Sequence, residues 1–170
     1  MAYIEQSEVL DLEGKMSSDP SVLGKIYKSK KKKFYEKNVD HNLVEEFLLE
    51  GWEEYGTPLK TKTRLRKPKT HSDQFEDDIW CQMYDLGFRH LNLDRHFCLP
   101  FGRLPDEKKQ IDVIAVHEDI VLLIECKSSE KPRRAPSYKT EFEALGRRLA
   151  GHNKCIAQMF GKEKRIKYIF

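Results

Sequence analysis

Apolar residues fall along this chain in two ways, at steps of three or four and in short unbroken runs. The alternation between them sets the expected elements. Residues 1–20 are acidic and weakly patterned and are expected to form a frayed arm ending near Asp19-Pro20. Residues 22–50 read as helical, with Leu43, Phe47 and Leu48 as an apolar stripe and Gly51 as the stop. Residues 52–55 and 61–65 predict a small hairpin around Gly56-Thr57-Pro58, left by a basic exit segment containing Arg64, Arg66, Lys67 and Lys69. The pattern sharpens beyond residue 71. Ser72 and Asp73 are candidate helix caps, Asp73 with Glu76 fits a capping box, and Phe75, Ile79, Met83 and Leu86 follow helical spacing up to Gly87. A strand is expected over 95–101, placed at an edge by Pro100, and two apolar strands over 111–116 and 120–126. A polar loop with Pro132 and Pro136 then leads to a long helix over 140–160 and a closing strand over 165–170.

The stretch QIDVIAVHEDIVLLIECKSS, residues 110–129, carries the chemistry. If Glu118-Asp119 form a two-residue turn, paired positions sum to 237 and Asp112 faces Glu125 across the ladder. Lys127 lies two residues beyond Glu125 and projects from the same face. That face carries Ile114, Val116, Val121 and Leu123; the other carries Ile111, Val113, Ala115, Leu122, Ile124 and Cys126. Both are apolar, which predicts a sheet covered by helices on each side. Opposed carboxylates in such a setting repel and are costly to bury, and a hard divalent cation removes the conflict. A one-residue slip would send the two acids to opposite faces, so the arrangement depends on the turn. The plainer alternative is a Glu-Lys pair and a satisfied Asp at the end of a core hairpin.

Composition narrows the class. At 170 residues and 20.1 kDa, with 39% hydrophobic residues and a mean hydropathy of −0.70, the chain has one domain's worth of sequence and a heavily charged surface. No apolar run approaches the roughly 20 residues of a membrane span, and residues 1–10 lack the pattern of a secretory signal. The four cysteines form no CxxC pair, so reduced thiols and a cytoplasmic location are expected. Cys81, His90, His96 and Cys98 match no common zinc spacing. No nucleophile elbow or phosphate-binding glycine loop occurs, which argues against serine hydrolases and P-loop enzymes. The net charge of +3 conceals segregation: −4 over residues 1–24, +6 over 25–70, −6 over 71–127 and +7 over 128–170. Two basic blocks around an acidic one suit a polyanion held about a carboxylate site. Arg133, Arg134, Arg147, Arg148 and Lys154 are the candidate phosphate contacts, set against the alternative of solvated faces. The same choice applies to Lys30–Lys33 with Phe34 and Tyr35.

The run Asp112, then Glu125-Cys126-Lys127, resembles the PD-(D/E)xK motif of restriction-endonuclease-like nucleases, with Gln110-Ile111 where the motif's name places a proline. The order helix, three strands, helix, strand over residues 72–170 is similar to that superfamily's core. The resemblance implies an α/β fold with an α-β-β-β-α-β core, a mixed sheet flanked by helices and an N-terminal helical and hairpin extension. Residues 1–70 would be that basic extension and 71–170 the nuclease-like domain. It implies a Mg²⁺- or Mn²⁺-dependent endonuclease cutting DNA phosphodiesters, in DNA processing or phage defence. Asp112, Glu125, the main-chain carbonyl of Cys126 and Glu76 would hold metal, and Lys127 would serve the water and the transition state. A further similarity joins RLRKP (64–68), FEDDIWCQMYDLGF (75–88) and QIDV…ECKS to the N-terminal region of bacterial DGQHR-domain, DndB-like proteins. It implies further domains in a longer parent protein; a homodimer stays open. The competing expectation is an inactive module of the same fold that binds nucleic acid or a partner domain.

Overall fold

A computed structural model describes residues 3–128 and 138–170. The long apolar hairpin is where the fold is organised. Val113–Val116 (β8) and Ile120–Ile124 (β9) pair antiparallel, Val113 opposite Ile124 and Val116 opposite Val121. His117 N–H donates to Ile120 O at 2.9 Å, closing the two-residue Glu118-Asp119 turn. The observed register therefore sums to 237, as the turn chemistry predicts. Arg165–Ile169 (β10) adds parallel to β9, a pairing that requires a crossover, here the helix Lys139–Phe160 (α5).

On the other side of β8 the expected strand over 95–101 is displaced. His90–Asn92 (β5) pairs with β8, while Cys98–Pro100 (β6) forms a separate two-stranded hairpin with Lys108–Gln110 (β7). β5 has only three residues, one buried leucine among polar neighbours, too short for an alternation to show. The acidic N-terminal stretch is likewise no frayed arm. Gln6–Gly14 (α1) buries Val9 and Leu12, and Met16–Ser17 (β1) pairs with β5 at the sheet edge. The main sheet thus runs β1-β5-β8-β9-β10, mixed in direction.

Both of its faces are covered. Ile114, Val116, Val121 and Leu123 pack with α1 residues and with Cys155 and Ile156 of α5. Val113, Ala115 and Ile124 pack with Leu23 of the helix Pro20–Lys30 (α2) and with Trp80 and Cys81 of the helix His71–Asp85 (α4). Asp19 caps α2, its carboxylate accepting from the amides of Ser21 and Val22, and Pro20 takes the first helical position. The helix expected over 22–50 is interrupted. Phe34–Asp40 (β2) follows α2, and only a 3₁₀ turn at His41–Leu43 and the short helix Val44–Leu49 (α3) precede Gly51. Glu53–Glu54 (β3) and Lys62–Pro68 (β4) form the predicted hairpin, and β2 joins it on the other side of β4. The basic residues Arg64, Arg66 and Lys67 accordingly lie within a central strand. Gly51 and Gly87, at φ +85° and +95°, end their helices in the left-handed region that glycine adopts without strain.

The expected division at residue 70 does not separate the cores, because α1, β1 and α2 pack on the main sheet. The three-stranded sheet keeps only a small cluster, Val39, Val44 and Leu65. It is tied to the rest by charge. Asp77 of α4, 3% exposed, accepts from Lys30 Nζ at 2.6 Å and Lys69 Nζ at 2.7 Å. Lys69 also donates to the carbonyls of Ser29 and Lys30 at the end of α2. A second close contact sits in α5: a Cβ on Gly151 would lie 1.9 Å from the carbonyl oxygen of Phe101, so helix and β6–β7 hairpin meet backbone to backbone.

Replacing Asp77 by alanine leaves Lys69 buried without its counter-charge, and urea denaturation should show a loss of roughly 3–5 kcal/mol. Burial alone would raise the Asp77 pKa, but hydrogen bonds and charge from Lys30 and Lys69 hold it below the ordinary carboxylate value. Its contribution to stability is thus complete above pH about 4 and is lost as pH falls through the lower folded value, a loss absent from the alanine variant.

Candidate active site

Asp112 precedes β8 and Glu125 follows β9, so both sit at the open end of the hairpin, opposite its turn. The backbone there is fixed by Asn92, only 2% exposed at the end of β5. Its amide donates to the carbonyl of Asp112 at 3.1 Å and to that of Asp94 at 2.8 Å, while its side-chain oxygen accepts from Ile114 N–H at 3.1 Å. Trp80 Nε1 closes the set on Asn92 O at 2.8 Å. This clamp takes over where the β5–β8 ladder ends and holds a bend at Asp112. The strict alternation expected for the strand breaks there: Ile111 packs in the α5-side core with Ile114, although its parity assigns it to the opposite face.

The acids do not stand free. The Asp112 carboxylate accepts from Cys126 N–H at 2.7 Å, which joins the two strand ends where the ladder has stopped. Glu125, with its side chain 13% exposed, accepts the charge of Lys109 at 3.3 Å and of Lys127 at 3.8 Å. Its own amide donates to Ile169 O, extending the parallel pairing by one residue. Lys109, three residues before Asp112, was not singled out in the sequence; its place in the KKQ strand beside the motif is the available signal. The Cys126 thiol is pushed up to about 12, chiefly by burial and also by the charges of Asp112, Glu76 and Glu125. All four cysteines are free thiols.

Glu76 lies one turn inside α4, not at its cap. Thr70 is the N-cap, and the capping box is completed by Asp73, whose amide donates to the Thr70 hydroxyl at 3.1 Å. The capping role expected for Glu76 therefore belongs to other residues. Burial raises the Glu76 pKa, with Asp112 among the repelling charges, and the Arg95 guanidinium, 3.4 Å away, opposes the rise. Arg95 also binds Asp73 and reaches Asp77 at 3.3 Å. Arg95, expected within a strand, lies instead in the turn between β5 and β6 and takes a role that its local sequence pattern does not signal. Asp73, Glu76 and Asp77, three acids at i, i+3 and i+4 along one side of the helix, were the visible sign that cations face them.

Of the expected phosphate contacts, Arg133 and Arg134 lie outside the described residues, as do Pro132 and Pro136. Arg147 is exposed on α5, Arg148 stacks over Phe101 at 5.4 Å, and the Lys154 ammonium lies 5.6 Å from the Tyr3 ring. Gln158, further along α5, accepts from the amides of Tyr3 and Ile4. Among the described residues no group of three or more His, Cys, Asp or Glu side chains is gathered as a ready metal cage. Comparison with protein-family models finds no match, and comparison with curated proteins and solved structures finds no significant similarity.

Asn92→Ala releases Asp112 O and the Ile114 amide, and should cost roughly 1–3 kcal/mol in a denaturation experiment. Arg95→Gln removes the charge opposing the Glu76 rise; Glu76, followed by carboxyl NMR, should titrate at higher pH than in the wild type.

Proposed function

We propose that the chain is a metal-dependent endonuclease of the PD-(D/E)xK kind that hydrolyses DNA phosphodiester bonds. The observation that carries this reading is the open end of the β8–β9 hairpin. There Asp112, Glu125 and Lys127 occupy neighbouring strand ends, and Glu76 approaches electrostatically from α4. The element order supports it: α4, β5, β8, β9, α5 and β10 come in that order, with the β6–β7 hairpin inserted after β5, and the four strands are adjacent in that order, the last parallel to its neighbour.

The donor set is chemically suited to Mg²⁺ or Mn²⁺. Carboxylate oxygens of Asp112, Glu125 and Glu76 with the Cys126 carbonyl are hard ligands, and the four cysteines contribute no thiolate pair. Such an ion, when bound, lowers the pKa of water and offsets charge on phosphorus. Lys127, half exposed beside Glu125, is placed to hold the attacking water or the scissile phosphate. Lys109, by sharing Glu125, keeps that carboxylate compensated until a phosphate or cation draws it away. Arg147, Arg148 and Lys154 put positive charge along α5 for the DNA backbone.

One observation favours the inactive module instead: Glu125 and Glu76 are each already paired with cations, so the acids are satisfied without metal. Plasmid nicking with Mg²⁺ or Mn²⁺ separates the two. The nuclease requires cleavage that stops with chelator and falls at least roughly 100-fold in Asp112→Asn, Glu125→Gln and Lys127→Met. Cleavage that survives these substitutions removes the assignment; retarded but uncut DNA establishes the binding module.

A further inference from the structure

Beside Glu125 and Lys127 lies a pocket of about 330 Å³, between the hairpin and α5. Its size is at the low end of small-ligand pockets, roughly 300–1,000 Å³. Ile111, Leu123 and Leu145 give it apolar walls, and Lys109, Lys127 and Arg148 contribute cations to its lining. His152 and Tyr168 line it as well, their rings near parallel at 18° with centroids 5.9 Å apart.

These two residues are the anomaly. His152 is 1% exposed, yet neither ring nitrogen has a hydrogen-bond partner of good geometry among the described residues. The Leu99 backbone lies near enough to favour the charged ring but outside hydrogen-bond geometry. The Tyr168 hydroxyl is likewise buried with no partner among the described residues. Each such group costs roughly 1–3 kcal/mol, and buried polar atoms are nearly always satisfied by protein, water or ligand. Burial and the nearby Arg148 charge pull the His152 pKa down to about 4, so the ring is neutral at pH 7, with one N–H donor and one bare acceptor. Burial pushes the Tyr168 phenol up, and it too is neutral. The unpartnered groups are therefore neutral donors and acceptors on aromatic planes, while the fixed positive charge is carried by lysine and arginine side chains. An anion has no reason to pass the cations for neutral partners. A planar, uncharged, hydrogen-bonding ring attached to a phosphate satisfies both sets.

We propose that this pocket receives an unpaired nucleobase of the DNA strand, stacked against Tyr168 and hydrogen-bonded by His152, with its phosphate on Lys109 and Arg148. The assignment rests on the nucleic-acid reading of the adjacent site and adds a substrate class to it: strands carrying an unpaired or extruded nucleotide.

The test reads binding in chelator, so that no cleavage intervenes. A duplex with one unpaired 2-aminopurine is compared with its fully paired counterpart. The unpaired probe should bind about tenfold more tightly and its fluorescence should fall as the base stacks. Tyr168→Leu removes the stacking ring, so the preference should shrink roughly three- to tenfold. Tyr168→Phe deletes only the orphaned hydroxyl, so the free protein should be as stable as before or more so and the preference should persist. Ala144→Phe, a substitution at a half-exposed helix position that fills the pocket, should abolish the preference and leave paired-duplex binding intact. Equal binding of the two duplexes, or a preference untouched in Ala144→Phe, overturns the pocket. A preference in chelator without cleavage in Mg²⁺ supports the pocket and defeats the nuclease; cleavage without preference overturns the pocket alone.

Discussion

A buried carboxylate holds the two parts of this chain together. Asp77 reaches Lys30 at the end of α2, Lys69 at the exit of β4 and Arg95 beyond β5, three cations from three segments. The three-stranded sheet keeps only a small apolar cluster of its own, and Lys69, at the exit of β4, joins it to the buried carboxylate. Such a network is geometrically demanding, because every partner must be present for any of them to be tolerable away from water. It lies on α4, whose core face carries Trp80 and, through the Trp80 hydrogen bond, joins Asn92 and the bend at Asp112. The acid site shares a member with this network, since one guanidinium, that of Arg95, pairs with both Glu76 and Asp77.

Charge compensation recurs at the site. Glu125 is answered by Lys109 and Lys127, Glu76 by Arg95, and Asp112 by a backbone amide. Each pairing lowers the cost of holding acids close together and competes with any cation that would bind there. Lys109, Lys127 and Arg95 all belong to the acidic block 71–127, so the site acids are compensated from within that block, whereas Asp77 draws on the basic block 25–70, through Lys30 and Lys69.

The β8–β9 hairpin could be read from the chain because its determinants are local. A two-residue turn fixes the register, and apolar runs on both faces require cover. The helices α4 and α5 follow for the same reason, since periodicity and glycine stops act within a few residues. What escaped were elements whose stability is borrowed. β1 and β5 have two and three residues and exist because a neighbour pairs with them. β2, two aromatic residues and one valine among four polar or charged ones, takes its strand form from the full-length pairing with β4. Lys109 and Arg95 joined the site through contacts spanning 16 and 19 residues of sequence, which no local pattern encodes. The bend at Asp112 comes from a side chain 20 positions away.

Gly151 extends this to the scale of the pocket. Where α5 meets Phe101 with no room for a single carbon, the spacing between helix and hairpin is set by main chain, not by interchangeable side chains. The wall bearing Arg148 and His152 therefore stands at a fixed gauge from the wall bearing Lys109 and Ile111. Substitution along the lining can retune what the pocket accepts while its width stays constant, so selectivity and architecture are free to vary independently.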